Sequence, residues 1–151
     1  MLAAGDTLND FTLPDQTGTR RSLSELLADG PVVLFFYPKA MTTGCTKESC
    51  HFRDLAGEFA ELGARRVGIS ADGVDRQAKF DERNDLGFPL LSDADRTVAG
   101  QFGVKRPGPL MNRRATFVIG TDSRVLAAFA SEMNMDVHAD KALEVLRSRT
   151  V

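Results

Sequence analysis

Residues 32–52 read VVLFFYPKAMTTGCTKESCHF, and this stretch decides the fold. It begins as a short apolar run of β-branched and aromatic residues that stops at Pro38, which predicts a buried central strand. A short loop that contains Gly44 follows, and the pattern then predicts a helix that begins near Cys45. The sequence therefore places a thiol at the carboxyl end of a strand and at the amino end of a helix.

This placement gives Cys45 a chemical role to consider. The first backbone N–H groups of a helix have no partner within it and carry partial positive charge. They stabilise a thiolate, so we expect Cys45 to ionise more readily than a free cysteine. A thiolate is a nucleophile at neutral pH. Most free cysteines are only small buried hydrophobic residues, so the neighbouring residues must decide between the two interpretations.

Length and composition restrict the class of protein. A chain of 151 residues suits a single domain over 1–151 with a substantial core. The net charge of −2 and the interspersed charges argue against a nucleic-acid-binding surface. The amino terminus lacks the pattern of a signal peptide, and no apolar run has the length of a membrane span. We therefore expect a cytoplasmic protein without a membrane partner, in which a lasting structural disulfide is not expected.

The rest of the chain predicts strands and helices that alternate, with hairpins near both ends. The predicted strands are 11–13 and 19–21, which form a hairpin around Gly18, then 65–70, 88–91, and the paired 115–119 and 124–129. The predicted helices are one capped by Ser22 and Glu25 that runs to about Leu27, one over 75–84, one capped by Ser92 or Asp93 that ends at Phe102, and a last one after Asp136. Residues 105–113 read as a loop.

The helix after Cys45 is predicted to be one amphipathic helix. Its apolar residues have the spacing of a single buried stripe, namely Phe52, Leu55, Ala56, Phe59 and Leu62. Extended backwards, the stripe passes through Ser49 and Cys45, so the thiol should face inward. The last helix likewise carries Ala139, Ala142, Leu143 and Leu146 on one face. Strand–helix–strand units followed by a hairpin and a helix predict an α/β fold, with a central mixed sheet flanked by helices.

Several motifs together resemble one family. The segment from Pro38 to Cys45, PKAMTTGC, resembles the Pro-x-x-x-Thr/Ser-x-x-Cys motif of peroxiredoxins. The second thiol, Cys50, stands five residues after the first, as in the bacterioferritin comigratory protein or peroxiredoxin Q branch. The segment RATFVI, which begins at Arg114, is similar to the family's strand that starts with an active-site arginine. The resemblance covers nearly the whole chain and implies a thioredoxin-like fold with an N-terminal β-hairpin.

The resemblance also implies an activity and four catalytic residues. The chain would be a thiol-dependent peroxidase that reduces hydrogen peroxide and organic hydroperoxides. Cys45 would become a sulfenic acid, Cys50 would resolve it as an intramolecular disulfide, and thioredoxin or a similar dithiol would restore both thiols. Arg114 would hold the thiolate and polarise the peroxide. Thr42 would direct its hydroxyl at both, and the alternative interpretation is that Thr42 or Thr43 only caps the helix.

Three further residues are expected to support the site. Pro38 has a fixed φ and no backbone donor, so it would shape and shield the loop. Glu48 would orient Arg114, or it would be an exposed carboxylate that the helix dipole favours. Gly44 makes the helix start less helix-favouring than an alanine would. The chain departs from the branch at Thr43, where proline is usual, and this change is expected to leave the loop more mobile.

The spacing of the two cysteines sets a geometric constraint. Five residues along a helix advance about 7.5 Å and rotate about 140°, which separates the Cα atoms by roughly 8.6 Å. A disulfide needs about 4.4–6.8 Å between Cα atoms. The intact helix therefore excludes a bond between Cys45 and Cys50, and resolution requires the first turns to unwind.

Two alternatives remain open from the sequence. A thioredoxin-like disulfide exchanger would share the fold, but that group uses Cys-x-x-Cys and a proline before the later strand. A metal-binding module would use Cys45, Cys50, His51 and perhaps His138, yet their spacing does not match paired zinc knuckles. We expect no cofactor or metal, a solvated His51, and a monomer or weak dimer. The methionines Met111, Met133 and Met135 predict either an apolar patch or ordinary packing.

Overall fold

The computed structural model describes residues 1–149. Its strands are β1 (Thr12–Pro14), β2 (Arg20–Ser22), β3 (Val32–Phe36), β4 (Arg65–Ser70), β5 (Leu90–Ser92), β6 (Ala115–Ile119) and β7 (Val125–Ala130). Its helices are α1 (Leu23–Leu26), α2 (Thr43–Asp54), α3 (Ala56–Glu61), α4 (Val74–Asn84), α5 (Thr97–Phe102) and α6 (Val137–Arg149). The predicted alternation of strands and helices is confirmed.

The central sheet is mixed, as the sequence predicts. Five strands lie in the order β5-β4-β3-β6-β7, so β3 is the middle strand. It pairs parallel with β4 and antiparallel with β6. Strands β1 and β2 form a separate antiparallel pair, and Gly18 has a φ of 82° in the turn between them. The left-handed φ is the reason that glycine suits this turn.

The alternation of side chains along β3 divides the core into two layers. Val32, Leu34 and Phe36 pack into one cluster of buried residues, whereas Val33 and Phe35 pack into the other. Cys45 belongs to the second cluster. The ring of Phe35 stacks on that of Phe52, with centroids 4.1 Å apart and planes 8° from parallel. This stacking fixes α2 against the face of the sheet on which Phe35 and the Cys45 thiol pack together.

The prediction of one continuous helix after Cys45 is wrong. The chain leaves helical geometry at Leu55, whose φ and ψ are −95° and 19°, and α2 and α3 meet there. Since α3 does not continue the phase of α2, Ala56 is exposed rather than part of a buried stripe. Phe52 and Phe59 are both fully buried, as predicted. The N-terminal half of the stripe is also confirmed, because Cys45 and Ser49 face the core.

The start of α5 differs from the predicted start. The helix begins at Thr97, and the residue that precedes it is Arg96, with a left-handed φ of 59°. A turn intervenes, in which the Arg96 amide donates to the Asp93 carbonyl at 2.9 Å. The Asp93 side chain still caps the helix, because its carboxylate oxygens accept from the amides of Val98 at 3.2 Å and Ala99 at 2.8 Å.

Two other helix starts follow the predicted chemistry in part. The Ser22 hydroxyl accepts from the Glu25 amide at 3.1 Å, as in a capping box. The Glu25 carboxylate does not complete the box and pairs instead with Arg21 at 3.1 Å. At the start of α6, the Asp136 carbonyl accepts from the Asp140 amide at 3.2 Å. The predicted apolar face of α6 is buried.

The remaining boundaries differ from prediction by one or two residues. The hairpin strands β1 and β2 each begin one residue later than expected, as does β7, and β5 begins two residues later. Such shifts are ordinary for strand ends read from sequence alone, because end residues carry little of the pattern. No helix within residues 1–149 has the length and apolar character needed to cross a bilayer.

Asp93 provides a test of the cap on α5. Replacing Asp93 by Ala leaves two buried amides without their acceptor, so we expect a loss of about 2 kcal/mol in the free energy of unfolding. Asp95 is the matched control, because it is exposed and accepts one hydrogen bond from the Thr97 amide. Asp95→Ala should cost less than about 1 kcal/mol. Urea denaturation of both variants measures the two costs, and equal costs would contradict the assignment of the cap to Asp93.

Candidate active site

The predicted nucleophile lies where the sequence places it. Cys45 is the third residue of α2, and 1% of the residue is exposed. The loop that follows β3 lies on one side of it, and the buried face of the sheet lies on the other. Its sulfur accepts a hydrogen bond from Arg114 Nη2 at 3.2 Å. The sulfur is therefore held directly by a cationic side chain.

Arg114 forms a bridge between two acidic groups. It stands directly before β6, and its Nη1 donates to Glu48 Oε1 at 2.7 Å while Nη2 donates to Cys45. Its side chain is only 6% exposed. Burial alone would lower the pKa of Arg114, but Glu48 and Cys45 together raise it above its usual value. The guanidinium therefore stays charged, and its planar fork fixes both partners.

Glu48 is a buried residue, so the expectation of an exposed carboxylate at this position is wrong. Its side chain has no exposed surface. Burial raises the pKa of Glu48 to about 8, against the opposing effect of Arg114. Its second oxygen, Oε2, has no hydrogen-bond partner among the described residues and lies 3.6 Å from His138 Nδ1. The position of the carboxylate fits the predicted orientation of Arg114, although the role itself stays a prediction.

His138 is a neighbour of the site that the sequence reasoning did not assign to it. It is the second residue of α6 and is fully buried. Its Nε2 lies 2.9 Å from the Ser131 carbonyl, which can only accept, so we assign the proton to Nε2. Its Nδ1 lies 2.8 Å from the Thr116 hydroxyl, which then donates. Burial lowers the pKa of His138, so the ring is neutral at neutral pH.

A signal for the burial of His138 was present in the sequence. It stands four residues before Ala142, on the face of α6 that was predicted to be buried. A histidine on such a face needs partners for both ring nitrogens. Glu132 is a second missed neighbour, since its carboxylate accepts from the Arg114 amide and from Arg106, both at 2.9 Å. An exposed carboxylate in a loop gave no such signal.

Thr42 occupies the cap position of α2, but its hydroxyl does not cap the helix. The hydroxyl donates to the Lys39 carbonyl at 2.8 Å, and it makes no hydrogen bond to the first amides of α2. The helix-cap interpretation is thus confirmed for the backbone only. The predicted action of Thr42 on the thiolate and the peroxide stays a prediction.

The loop before α2 is held by a residue that follows β4 and by a residue of α4. The Ala40 amide donates to Asp72 Oδ2 at 2.7 Å, and the Ala40 carbonyl accepts from Arg76 Nη2 at 3.0 Å. Asp72 and Arg76 also pair with each other at 3.0 Å. Both backbone groups of one loop residue are therefore fixed, and Met41 follows with a left-handed φ of 65°. Pro38 lies at the start of this loop, where it was expected to shape the chain.

Gly44 has a steric role in addition to the predicted one. A Cβ at this position would lie 3.3 Å from Arg114 Nη2 and 3.4 Å from Met135 Sδ. A larger residue would therefore press on the donor that holds the Cys45 sulfur. The three methionines differ in environment, because Met135 packs at the site whereas Met111 is 53% and Met133 is 93% exposed.

Cys50 is turned toward α4. Its thiol lies 3.6 Å from Asn84 Oδ1, and it packs at the edge of the second core cluster. Both cysteines are free, as the spacing predicts for an intact α2. The other candidate metal ligands have separate partners, since His51 pairs with Asp140 at 2.8 Å. Within residues 1–149, no group of three or more His, Cys, Asp or Glu side chains is placed to hold a metal ion.

The raised pKa of Glu48 predicts a pH dependence of stability. Between its unfolded value near 4.5 and its folded value of about 8, the folded protein holds a proton that the unfolded chain has lost. The reduced wild type should therefore lose stability relative to Glu48→Gln as the pH rises through this window, by at most about 1.4 kcal/mol per pH unit. His138 acts in the opposite direction, since its lowered pKa costs stability as the pH falls below 6.5.

Urea denaturation of the reduced proteins over this pH range measures the difference. Glu61→Gln is the matched control, because Glu61 is exposed. Its curve should run parallel to that of the wild type. If the Glu48→Gln curve also ran parallel, the buried carboxyl would be ionised throughout the window.

Comparison with known proteins supports one family. The AhpC/TSA family matches residues 4–128. Peroxiredoxin Bcp of Escherichia coli is 36% identical over 152 residues, which cover 97% of this chain and 96% of the relative. The crystal structure of peroxidoxin BcpB from Mycobacterium tuberculosis is 64% identical, with a TM-score of 0.95 and coverage of 99% of both chains. Xanthomonas campestris peroxiredoxin Q is 31% identical, with a TM-score of 0.87 over 93% of this chain and 92% of that one.

These structural matches confirm the thioredoxin-like fold that the resemblance implied. The chain therefore belongs to the AhpC/TSA family, as a peroxiredoxin of the bacterioferritin comigratory protein and peroxiredoxin Q branch, a family of thiol peroxidases.

Proposed function

We propose that the Cys45 thiolate attacks hydrogen peroxide or an organic hydroperoxide and becomes a sulfenic acid. The observation that supports this most directly is the contact of 3.2 Å between Arg114 Nη2 and the Cys45 sulfur. The sulfur electron pair forms the new S–O bond as the O–O bond breaks. Negative charge then grows on the leaving oxygen, and a fixed cation beside the sulfur is placed to stabilise that charge.

The burial of the site supports the same mechanism. Electrostatic interactions are stronger where water is excluded, and Arg114 is held from three directions before any substrate arrives. Its guanidinium contacts Cys45 and Glu48, and its amide donates to Glu132. The donor therefore needs little rearrangement during the reaction. Thr42, at the start of α2, is the proposed partner of the second peroxide oxygen.

We further propose that Cys50 resolves the sulfenic acid. Its thiol attacks the Cys45 sulfur, water leaves, and a disulfide remains inside one chain. Both thiols lie in α2 but face different partners, since Cys45 contacts Arg114 and Cys50 contacts Asn84. The first turns of α2 must therefore unwind before the two sulfurs can bond. Two fixed points limit this rearrangement to the residues between them. The backbone of Ala40 is held by Asp72 and Arg76, and the ring of Phe52 stacks on Phe35. Thioredoxin or a similar dithiol is the proposed reductant of the disulfide.

The proposed cycle also bears on the location, the domain organisation and the oligomeric state of the protein. A disulfide that forms and is reduced in each turnover suits a reducing compartment, so the cytoplasm is the proposed location. We propose that residues 1–151 form one domain, because both core clusters share one central sheet. A monomer or weak dimer suffices, since both thiols of the cycle lie in one helix.

Substitution of each cysteine should separate the oxidation by peroxide from the reduction by a dithiol. Cys45→Ser removes the thiolate, so peroxide turnover should fall by several orders of magnitude. Cys50→Ser should still consume about one equivalent of peroxide but should recycle slowly with a dithiol reductant. Stopped-flow oxidation by hydrogen peroxide, followed by steady-state assays with thioredoxin, measures both steps. A disulfide between two chains in oxidised wild type, seen by mass spectrometry, would reject the resolving role of Cys50.

Thr42 should matter through its hydroxyl and not through its shape. Thr42→Val keeps the branched side chain but removes the donor, so we expect kcat/KM for hydrogen peroxide to fall by about 10²-fold. Thr42→Ser is the control, since it restores the hydroxyl and should stay within about tenfold of the wild type. Loss of activity in Thr42→Ser with full activity in Thr42→Val would show instead that the threonine methyl group is the important feature.

A further inference from the structure

Glu48 presents an unpaired oxygen inside the active site. Its Oε1 is bound by Arg114, but its Oε2 is buried without a hydrogen-bond partner among the described residues. An ionised carboxylate that leaves one oxygen unpaired in a buried site pays a large desolvation cost. A protonated carboxyl group avoids most of this cost.

The group that faces Oε2 is an acceptor and not a cation. His138 Nε2 donates to the Ser131 carbonyl, and Nδ1, which lies 3.6 Å from Oε2, accepts from the Thr116 hydroxyl. In this tautomer the side of the ring that faces Glu48 carries a lone pair. A lone pair favours a proton on the opposing oxygen and opposes negative charge there.

The charges around Glu48 point in the same direction. The charged or titratable groups that face the pair formed by Glu48 and His138 are Cys45 from α2, Arg114 before β6, Glu132 before α6 and Lys141 within α6. Glu132 is itself paired with Arg106. Arg114 is thus the cation bound directly to Glu48, and a Cys45 thiolate already neutralises it. A second anion at Glu48 would leave the buried cluster with unbalanced negative charge.

We propose that Glu48 is a neutral acid while Cys45 is a thiolate, and that Glu48 ionises when Cys45 is oxidised. The inference rests on the proposed function, because it assigns the proton balance of the same reaction. A thiolate, a carboxylic acid and a hydroperoxide become a sulfenic acid, a carboxylate and an alcohol. Sulfur loses two electrons to the O–O bond, the leaving oxygen gains a proton, and Glu48 loses one. The Arg114 cation exchanges its thiolate partner for a carboxylate partner.

Glu48 is a positioning residue in this scheme, because it acts through Arg114 and does not touch the peroxide. The proton that it releases can pass through solvent to the leaving oxygen, and the two exchanges with solvent still cancel. The oxidation therefore consumes no net proton from solution. Condensation of the sulfenic acid with the Cys50 thiol releases water and also leaves the proton count unchanged.

The test counts protons during a single turnover. Reduced wild-type protein is mixed at neutral pH with hydrogen peroxide in weak buffer that contains a pH-indicator dye, while ultraviolet absorbance follows the loss of thiolate. We expect nearly no proton uptake per thiolate lost in the wild type, and about one in Glu48→Gln. The exposed control Glu61→Gln should behave as the wild type does. His138→Asn should also stay near zero, because the proton is assigned to Glu48.

Other results would overturn the inference. Uptake of one proton by the wild type would show that Glu48 is already ionised. No uptake in either wild type or Glu48→Gln would show that the product remains an ionised sulfenate. Uptake in His138→Asn without uptake in Glu48→Gln would place the proton on the imidazole. A failure of peroxide to remove the thiolate would instead reject the proposed function, and with it this inference.

A second measurement does not depend on the folding of any variant. The infrared difference spectrum between the oxidised and reduced wild type should show the loss of a protonated carboxyl band and the gain of a carboxylate band. An unchanged carboxyl region would overturn the inference.

Discussion

The guanidinium of Arg114 lies between the Cys45 sulfur and the Glu48 carboxyl group, and the rest of the site depends on this bridge. Two acidic groups compete for one cation in a buried site. In such surroundings an unbalanced charge is expensive, so the ionisation of one acid is coupled to that of the other. The chemistry of the Cys45 thiol therefore cannot be described without the protonation state of the Glu48 carboxyl group.

The fold provides this bridge through the register of two strands. Strand β6 runs antiparallel to β3, and Ala115 pairs with Phe36. The start of β6 is therefore at the carboxyl end of β3, where the chain turns into α2. Arg114 precedes Ala115 and so reaches the first turn of α2. A shift of one residue in this register would point Arg114 to the opposite face of the sheet, because side chains alternate along a strand.

The parts of the structure that follow from local pattern could be predicted from the sequence. The apolar run that ends at Pro38 gave the central strand, and the motif from Pro38 to Cys45 gave the position of the thiol. Arg114 was placed through its resemblance to the family and not through geometry. The predictions of the strand and of the thiol were correct because each depends on residues that are close together in the chain.

The features that the sequence did not reveal depend on contacts between distant residues. The break at Leu55 leaves the apolar spacing intact, so periodicity alone could not detect it. Asp93 caps α5 across an intervening turn, whereas the capping rule assumes adjacency. The meeting of His138 with Glu48 requires α6 to pack against α2 beside β6. Nothing local to either residue specifies that packing.

Under the proposed cycle, the first turn of α2 must be rigid for oxidation and mobile for resolution, and the same bridge can satisfy both needs. In the reduced state of that cycle, the charge of a Cys45 thiolate would strengthen its hydrogen bond to Arg114, which fixes the turn. Oxidation to a neutral sulfenic acid removes that charge and so weakens the bond. Cys50 meets Asn84 only through a sulfur contact of 3.6 Å, whereas Glu48 stays bound to Arg114 at 2.7 Å. Under the proposed cycle, the reaction that creates the need to unwind thereby loosens the hold on Cys45 itself, while Arg114 keeps its hold on Glu48 three residues later.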